Sequence, residues 1–303
     1  MKKYLLGAIA IIIAASLWAL DGLLLRPNLY TIDITVVVFM EHFIGFLIMT
    51  VFLFPFFKEI PKLKKQDWIA FFLVAIFGGA IGTIAITKAF FMAFEQGANL
   101  SVILLLQKLQ PVFAVILAII LLKEKPKPFF FVCALFALIG SYILTFGLSL
   151  PDLSLTDVTL IPAILSVIAA ACFGSSTVFS KKAVSRVSFY IGTYLRFALT
   201  TGVMAVIILM FSRTSGFLGL TSNSLLLLLL IAFTTGGGAL FLYYYGLKKV
   251  PASNATMYEL AFPIVSVAGE WIIHGNLLSV SQIIGGCILV ISVTALILYK
   301  SRK

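Results

Sequence analysis

The sequence predicts an all-α integral membrane protein of ten transmembrane helices, arranged as two inverted five-helix repeats around a central cavity. Three observations carry that reading. Hydrophobic residues make up 62% of the 303 residues and charged residues only 11%. An average soluble domain holds roughly a quarter charged residues, so a surface of this composition faces lipid. Ten apolar stretches run through the chain, each about as long as the 20 residues that cross the hydrocarbon. The two halves of the chain also repeat the same landmarks in the same order.

The ten stretches are 4–25, 34–57, 68–93, 98–122, 127–148, 159–180, 189–211, 224–247, 252–273 and 280–299. The gaps between them are short and carry loop punctuation, such as Arg26-Pro27-Asn28, Lys123-Glu124-Lys125-Pro126 and Pro151-Asp152. The first stretch has signal-peptide features, Lys2-Lys3 before an apolar run and Ala14-Ala15-Ser16 beyond it. It reads as a retained span, because its loss would break the repeat.

Orientation follows from Lys and Arg, which concentrate in cytoplasmic loops. With the N-terminus inside, 17 of the 22 basic residues fall at cytoplasmic positions. These are clustered around Lys2-Lys3, Lys58–Lys65, Lys123–Lys127, Lys181–Arg186, Lys248-Lys249 and Lys300–Lys303. Only Arg26 and Arg213 fall in outer loops, and Lys88, Lys108 and Arg196 lie within spans. The reading is a multi-pass protein of the cell membrane with both termini cytoplasmic. The net charge of +11 therefore belongs to loops and does not mark a nucleic-acid groove.

The repeat is weak but ordered. Trp18-Ala19 followed by Arg26 matches Phe173-Gly174 followed by Lys181. His42-Phe43 matches Arg196-Phe197, and Pro111-Val112-Phe113 matches Pro263-Ile264-Val265. This divides the chain into residues 1–150 and 151–303. Five helices per copy is an odd number, so the second copy enters the bilayer from the opposite side. Inverted repeats of this kind build two related gates around one midplane site.

On these landmarks the chain resembles the drug/metabolite transporter superfamily, specifically its EamA-like group. The carriers of the resemblance are the small and aromatic start of each repeat (Leu17-Trp18-Ala19 and Cys172-Phe173-Gly174), a basic residue in each second helix (His42 and Arg196), and Pro111 with Glu124 thirteen residues later. Two departures are His42 where Arg is usual and Asn276 where the second glutamate would fall. The resemblance implies a transporter whose fourth and ninth spans line the central cavity, for substrates ranging over amino acids, other metabolites and drugs.

Ionisable residues within the spans are the candidate site. Such residues face the bundle interior or a water-filled cavity because a charge at mid-helix costs about 2.5–3.5 kcal/mol on insertion scales. Lys108 sits near the middle of span four beside Gln107, and Pro111 loosens the turn before it. In span nine Glu259, Pro263, Ser266 and Glu270 share one kinked stripe, whose two carboxylates suit a cation or ammonium binder or a proton carrier. Since the resemblance implies that spans four and nine line one cavity, Lys108 and Glu259 are expected to pair when the site is empty. Lys108 would then hold a substrate carboxylate, and Glu259 an ammonium group or a coupling proton.

Glu41 and His42 in span two come next, with His42 able to titrate near physiological pH. Arg196 lies where either a cavity role or snorkelling to phosphates fits, Lys88 reads as an interfacial snorkeller, and Asp21 suggests an outer gate. Tyr244, within Tyr243-Tyr244-Tyr245, is the candidate stacking face.

The function this predicts is a secondary active or facilitative transporter of a small polar or zwitterionic, amino-acid-like metabolite, working by alternating access. Three bases and three acids in the spans favour a zwitterion. The alternative is an exporter of lipophilic or cationic drugs on the same fold. The expected partners are a small-molecule substrate, the lipid bilayer, protons as a candidate coupling ion, and a second copy as a candidate homodimer, with no nucleic acid. No metal or cofactor is expected, since Cys133, Cys172 and Cys287 are scattered apolar-stretch residues and His42 and His274 are far apart. An enzyme is not expected either, as no loop carries a nucleophile or a His/Asp/Glu constellation.

Overall fold

The structure is a computed structural model and describes residues 2–98, 100–148, 157–275 and 277–301. All secondary structure among these residues is helical. Nine helical segments among them are long and apolar enough to cross a bilayer: Lys2–Leu29, Ile34–Lys62, Lys65–Gln96, Val102–Leu121, Pro128–Phe146, Val158–Val184, Phe189–Met210, Ser222–Lys249 and Val280–Tyr299. Positions such as Val51, Phe52, Ile120, Val132, Ile272 and Ile291 project apolar side chains outward, as lipid contact requires. The expected repeat boundary at 150/151 lies outside the described residues.

The ninth expected span, 252–273, is not one helix. It divides into α12 (Ala252–Tyr258) and α13 (Ala261–His274), with Glu259 and Leu260 in a turn between them. Span four divides in the same way, into α5 (Leu100–Gln107) and α6 (Gln110–Leu121) around Lys108 and Leu109. The cause is the same in both. Pro111 and Pro263 sit in the first turn after each break and bring no N–H for the carbonyl four residues back. The backbone tightens instead, with Lys108 N–H to Leu105 O at 3.1 Å and Phe262 N–H to Glu259 O at 3.0 Å. The stripe expected to join Glu259 to Glu270 is interrupted at its start by this turn, and the Glu270 side chain lies outside the described residues.

Three further segments widen to π-turns: Asp21–Leu25 after α1 (Lys2–Leu20), Ala75–Ile81 between α3 (Lys65–Val74) and α4 (Gly82–Gln96), and Ala232–Gly236 between α10 (Ser222–Ile231) and α11 (Gly237–Lys249). The second and third fall at corresponding places in the two repeats. Such bulges recur at functional sites.

The remaining long helices are α2 (Ile34–Leu53), α7 (Pro128–Phe146), α8 (Asp157–Val184), α9 (Phe189–Met210) and α14 (Val280–Ser301). Helix α1 packs on α11 and α13, and α8 packs on α4 and α6. Helix α2 crosses α9, and α7 pairs with α14.

The connections expected to be cytoplasmic do gather on one face. Arg186 pairs with Asp67 at 3.6 Å, and the Ser188 N–H donates to Glu59 at 2.9 Å. Lys248 donates to Val187 O, and Lys181 to Leu247 O at 2.8 Å. Glu124 accepts from the N–H groups of Ala252 and Ser253 at 2.7 and 3.1 Å and from the Ser253 hydroxyl at 2.6 Å. That carboxylate satisfies orphan donors at the start of α12, and it ties the fourth connection to the ninth span.

In the α7–α14 pair the backbones touch. A Cβ on Gly140 would meet Leu289 N at 2.7 Å and Gly285 O at 2.8 Å, and one on Gly285 would collide with Leu144 N. Close approach through small residues lets membrane helices gain dispersion contacts that lipid cannot replace. Gly140→Leu should therefore destabilise the detergent-solubilised protein by about 2 kcal/mol or more, seen as a lower thermal unfolding midpoint. An unchanged midpoint would show that this contact contributes little.

Candidate functional site

The breaks, the π-turns and the second helix of each repeat surround one cavity of about 240 Å³. Three acids and three strong bases line it, Asp21, Glu41, Glu259, Arg26, Lys108 and Arg196, together with His42. Its apolar wall is largely aromatic, from Trp18, Phe90, Phe173, Phe197, Tyr243 and Phe262. Gln107, Gln110, Ser176 and Thr177 add uncharged hydrogen-bonding groups.

The π-turn after α1 positions the tightest polar network. It carries the helix on to Leu29, so Arg26 folds back onto the bundle and does not lie in an outer loop as its neighbours Pro27-Asn28 suggested. Arg26 Nε donates to Asp21 Oδ2 at 2.8 Å, and a terminal nitrogen reaches Glu41 Oε2 at 3.2 Å. The other terminal nitrogen donates to Thr87 at 3.3 Å, while Thr235 donates to the free oxygen of Asp21 at 3.1 Å. Asp21 and Glu41 are both buried. Glu41 thus faces the cavity as expected, but as a partner of Arg26.

Lys108 and Glu259 line the same cavity without forming the expected ion pair. Lys108 Nζ lies 5.2 Å from the centroid of the Phe262 ring, a cation–π contact. No described acidic oxygen lies within 4.0 Å of it. Glu259 accepts from Gln110 Nε2 at 2.6 Å and from the Tyr243 hydroxyl at 2.7 Å. The two helix breaks hold these residues at separate stations, and each has found a nearer partner than the other.

His42 is buried, with Nδ1 2.8 Å from Val38 O and its ring 5.5 Å from that of Phe197. Arg196 is half-buried and turns into the cavity, donating to Ser176 Oγ at 3.0 Å, so its cavity role holds over snorkelling. Gln107 lines the cavity beside Lys108. Lys88 is exposed and outside the lining.

Tyr244 does not line the cavity. It is fully buried and hydrogen-bonded to Ser180 at 2.9 Å. Its neighbour Tyr243 faces the cavity instead, joined to Thr177 at 2.8 Å and with its ring 5.2 Å from Trp18. Adjacent helical residues point 100° apart, and nothing in three consecutive tyrosines says which one faces inward. Arg26, Gln110 and Tyr243 are thus the residues the sequence reading passed over. The Asp21-to-Arg26 spacing was the available signal for the first, and the loop appearance of Pro27-Asn28 masked it.

This geometry has known counterparts. The EamA-like transporter family model matches residues 5–146 and again 160–298. The chain belongs to the EamA-like transporter family. The two matches fall in the two halves where the landmarks repeat. The chain is 42% identical over 294 residues to riboflavin transporter ImpX of Fusobacterium nucleatum subsp. nucleatum (strain ATCC 23726 / VPI 4351), an alignment covering 97% of this chain and 98% of that one. A crystal structure 15% identical to this chain, covering 98% of each, superimposes with a TM-score of 0.73 and shares the fold. The protein is accordingly a multi-pass membrane transporter of this family and not an enzyme.

The Arg26 network yields a direct test. Removing one partner of a buried ion pair leaves an uncompensated charge and costs about 3–5 kcal/mol. Arg26→Gln should lower the thermal midpoint accordingly, and combining it with Asp21→Asn and Glu41→Gln should recover most of the loss. If the single change is silent, Arg26 does not hold these carboxylates.

Proposed function

We propose that this transporter carries riboflavin, or a closely similar neutral planar heteroaromatic solute, by alternating access between its two repeat halves, 1–150 and 151–303. The observation that carries the reading is the cavity's composition: three acids balanced by three bases, set in a wall of six aromatic side chains. Among the described lining residues, Asp21 and Arg26 join Glu41, Glu259, Lys108 and Arg196 in that balance, while Lys88 lies outside the lining. A strongly charged solute would upset that balance. A flavin ring system is uncharged near neutral pH, offers a large stacking face, and has an edge with two carbonyl acceptors flanking an imide N–H.

The side chains at the helix breaks suit that edge. Lys108 supplies donors beside the Phe262 ring. Glu259 keeps acceptor capacity after its bonds to Gln110 and Tyr243, because an ionised carboxylate has about four lone-pair sites. The riboflavin transporter that aligns over nearly the whole chain supports the same substrate.

An amino-acid-like zwitterion would use Lys108 and Glu259 for its two charges and leave most of the aromatic wall without a role. An exporter of lipophilic cations would have Glu259 alone as its acid, since Arg26 occupies both Asp21 and Glu41, and would leave the cationic Lys108 and Arg196 in the same cavity to repel its substrate. Glu259, the acid with only uncharged partners, is the candidate carrier of a coupling proton. The basic face and both termini are assigned to the cytoplasm, and the protein to the cell membrane.

The test is counterflow of labelled riboflavin in proteoliposomes, with amino acids and cationic drugs as competitors and with or without a pH gradient. Riboflavin should exchange and amino acids should not compete. A charge-assisted hydrogen bond is worth about 1.5–3 kcal/mol, so Lys108→Ala should weaken transport about 10- to 100-fold while the protein still inserts in the membrane. Exchange of amino acids in the absence of any riboflavin exchange would overturn the reading.

A further inference from the structure

Of the six charges in the cavity, five already have partners that occupy or cover them. Arg26 is shared by Asp21 and Glu41, Glu259 is held by Gln110 and Tyr243, and Lys108 lies over Phe262. Arg196 differs. Of its five N–H donors, one is bonded to Ser176, and its Nε is buried with no hydrogen-bond partner. No described acid lies within 4.0 Å of it. A buried donor left unfilled costs about 1–3 kcal/mol, and more when it belongs to a charged group, so the guanidinium is held here with its bonding incomplete, and its terminal N–H groups on the cavity side are left for an acceptor from outside the chain.

The fold keeps room for Arg196 at this place. A Cβ on Gly78 would meet Ser176 Oγ and would stand 2.8 Å from a terminal nitrogen of Arg196. The glycine of the π-turn Ala75–Ile81 thus leaves room for the guanidinium beside Ser176 of α8. Arg196 on α9 and Ser176 on α8 meet the cavity from other elements than the two helix breaks, where Lys108 and Glu259 sit. The cavity, about 240 Å³, lies below the roughly 300–1,000 Å³ of most ligand pockets. A flavin-sized occupant therefore fills it from one wall to the other, and both ends of the molecule meet polar side chains.

We propose that Arg196, positioned by Ser176, is a specificity-determining residue whose free guanidinium edge binds the polyhydroxy tail of the solute, while Lys108 and Glu259 take the ring edge. The assignment rests on the flavin reading above and divides the cavity into a ring subsite and a tail subsite. A guanidinium's planar fork can engage two neighbouring hydroxyl oxygens at once, which a lysine ammonium does less well.

The experiment measures the affinity of the purified protein for riboflavin and for lumiflavin, the same isoalloxazine ring system with a methyl group in place of the tail, by fluorescence titration. Arg196→Gln should weaken riboflavin about 10-fold or more and leave lumiflavin within about twofold, with Arg196→Lys in between. Lys108→Ala should weaken both. Retained lumiflavin binding also reports that the Arg196 variants are folded. Equal loss of both ligands in Arg196→Gln and Arg196→Lys, or loss of neither, would overturn the tail subsite while leaving riboflavin transport standing. If the unaltered protein binds neither ligand, the flavin reading itself falls.

Discussion

A backbone that crosses lipid has no water to bond, so an interrupted helix is tolerated at membrane depth only where protein or a polar cavity surrounds the break. The two interruptions here, at Lys108-Leu109 and at Glu259-Leu260, obey that constraint and organise the rest of the molecule. Each is set by a proline in the following turn, and each places an ionisable side chain at the point where the helical ladder opens. The uncharged groups around them, Gln107, Gln110 and the Tyr243 hydroxyl, face the same space. The cavity is thus a direct consequence of where the chain cannot continue its helices.

Charge within that cavity is managed by pairing and not by exposure. Two buried carboxylates share one guanidinium, and two threonines take up what remains. Such a group is costly to assemble in a low-dielectric interior unless its hydrogen bonds are complete, and here they nearly are. The incomplete group lies elsewhere, at Arg196, whose Nε is buried without a hydrogen-bond partner. Satisfied polar groups give the cavity its shape, and unsatisfied ones give it a task.

The basic face is closed by several independent ties. Glu124 caps the start of α12, and Tyr4 shares a hydrogen bond with Tyr258 while also accepting from Asn254. Lys181 and Lys248 hold backbone carbonyls of neighbouring connections. Half-helix α12 rests on α6 and α1 as a result, whereas its counterpart α5 rests on α8 and α4. This difference arises from side chains near the ends of spans and needs no change within the spans.

Composition, periodicity and the placement of basic residues determined by themselves that this chain spans a membrane many times and that its two halves are related, and they made Lys108, Glu259, Glu41, His42 and Arg196 candidates for its interior. Those features are local, because hydrophobic length and charge placement are read one segment at a time. Only the tertiary structure decided that Arg26 turns inward to neutralise Asp21 and Glu41, that Tyr243 and not Tyr244 faces the cavity, and that Lys108 and Glu259 take separate partners. Each of these depends on helix rotation, on a π-turn or on a break angle. A rotation of 100° or a single extra residue in a turn moves a side chain from one wall to another while leaving hydrophobicity unchanged.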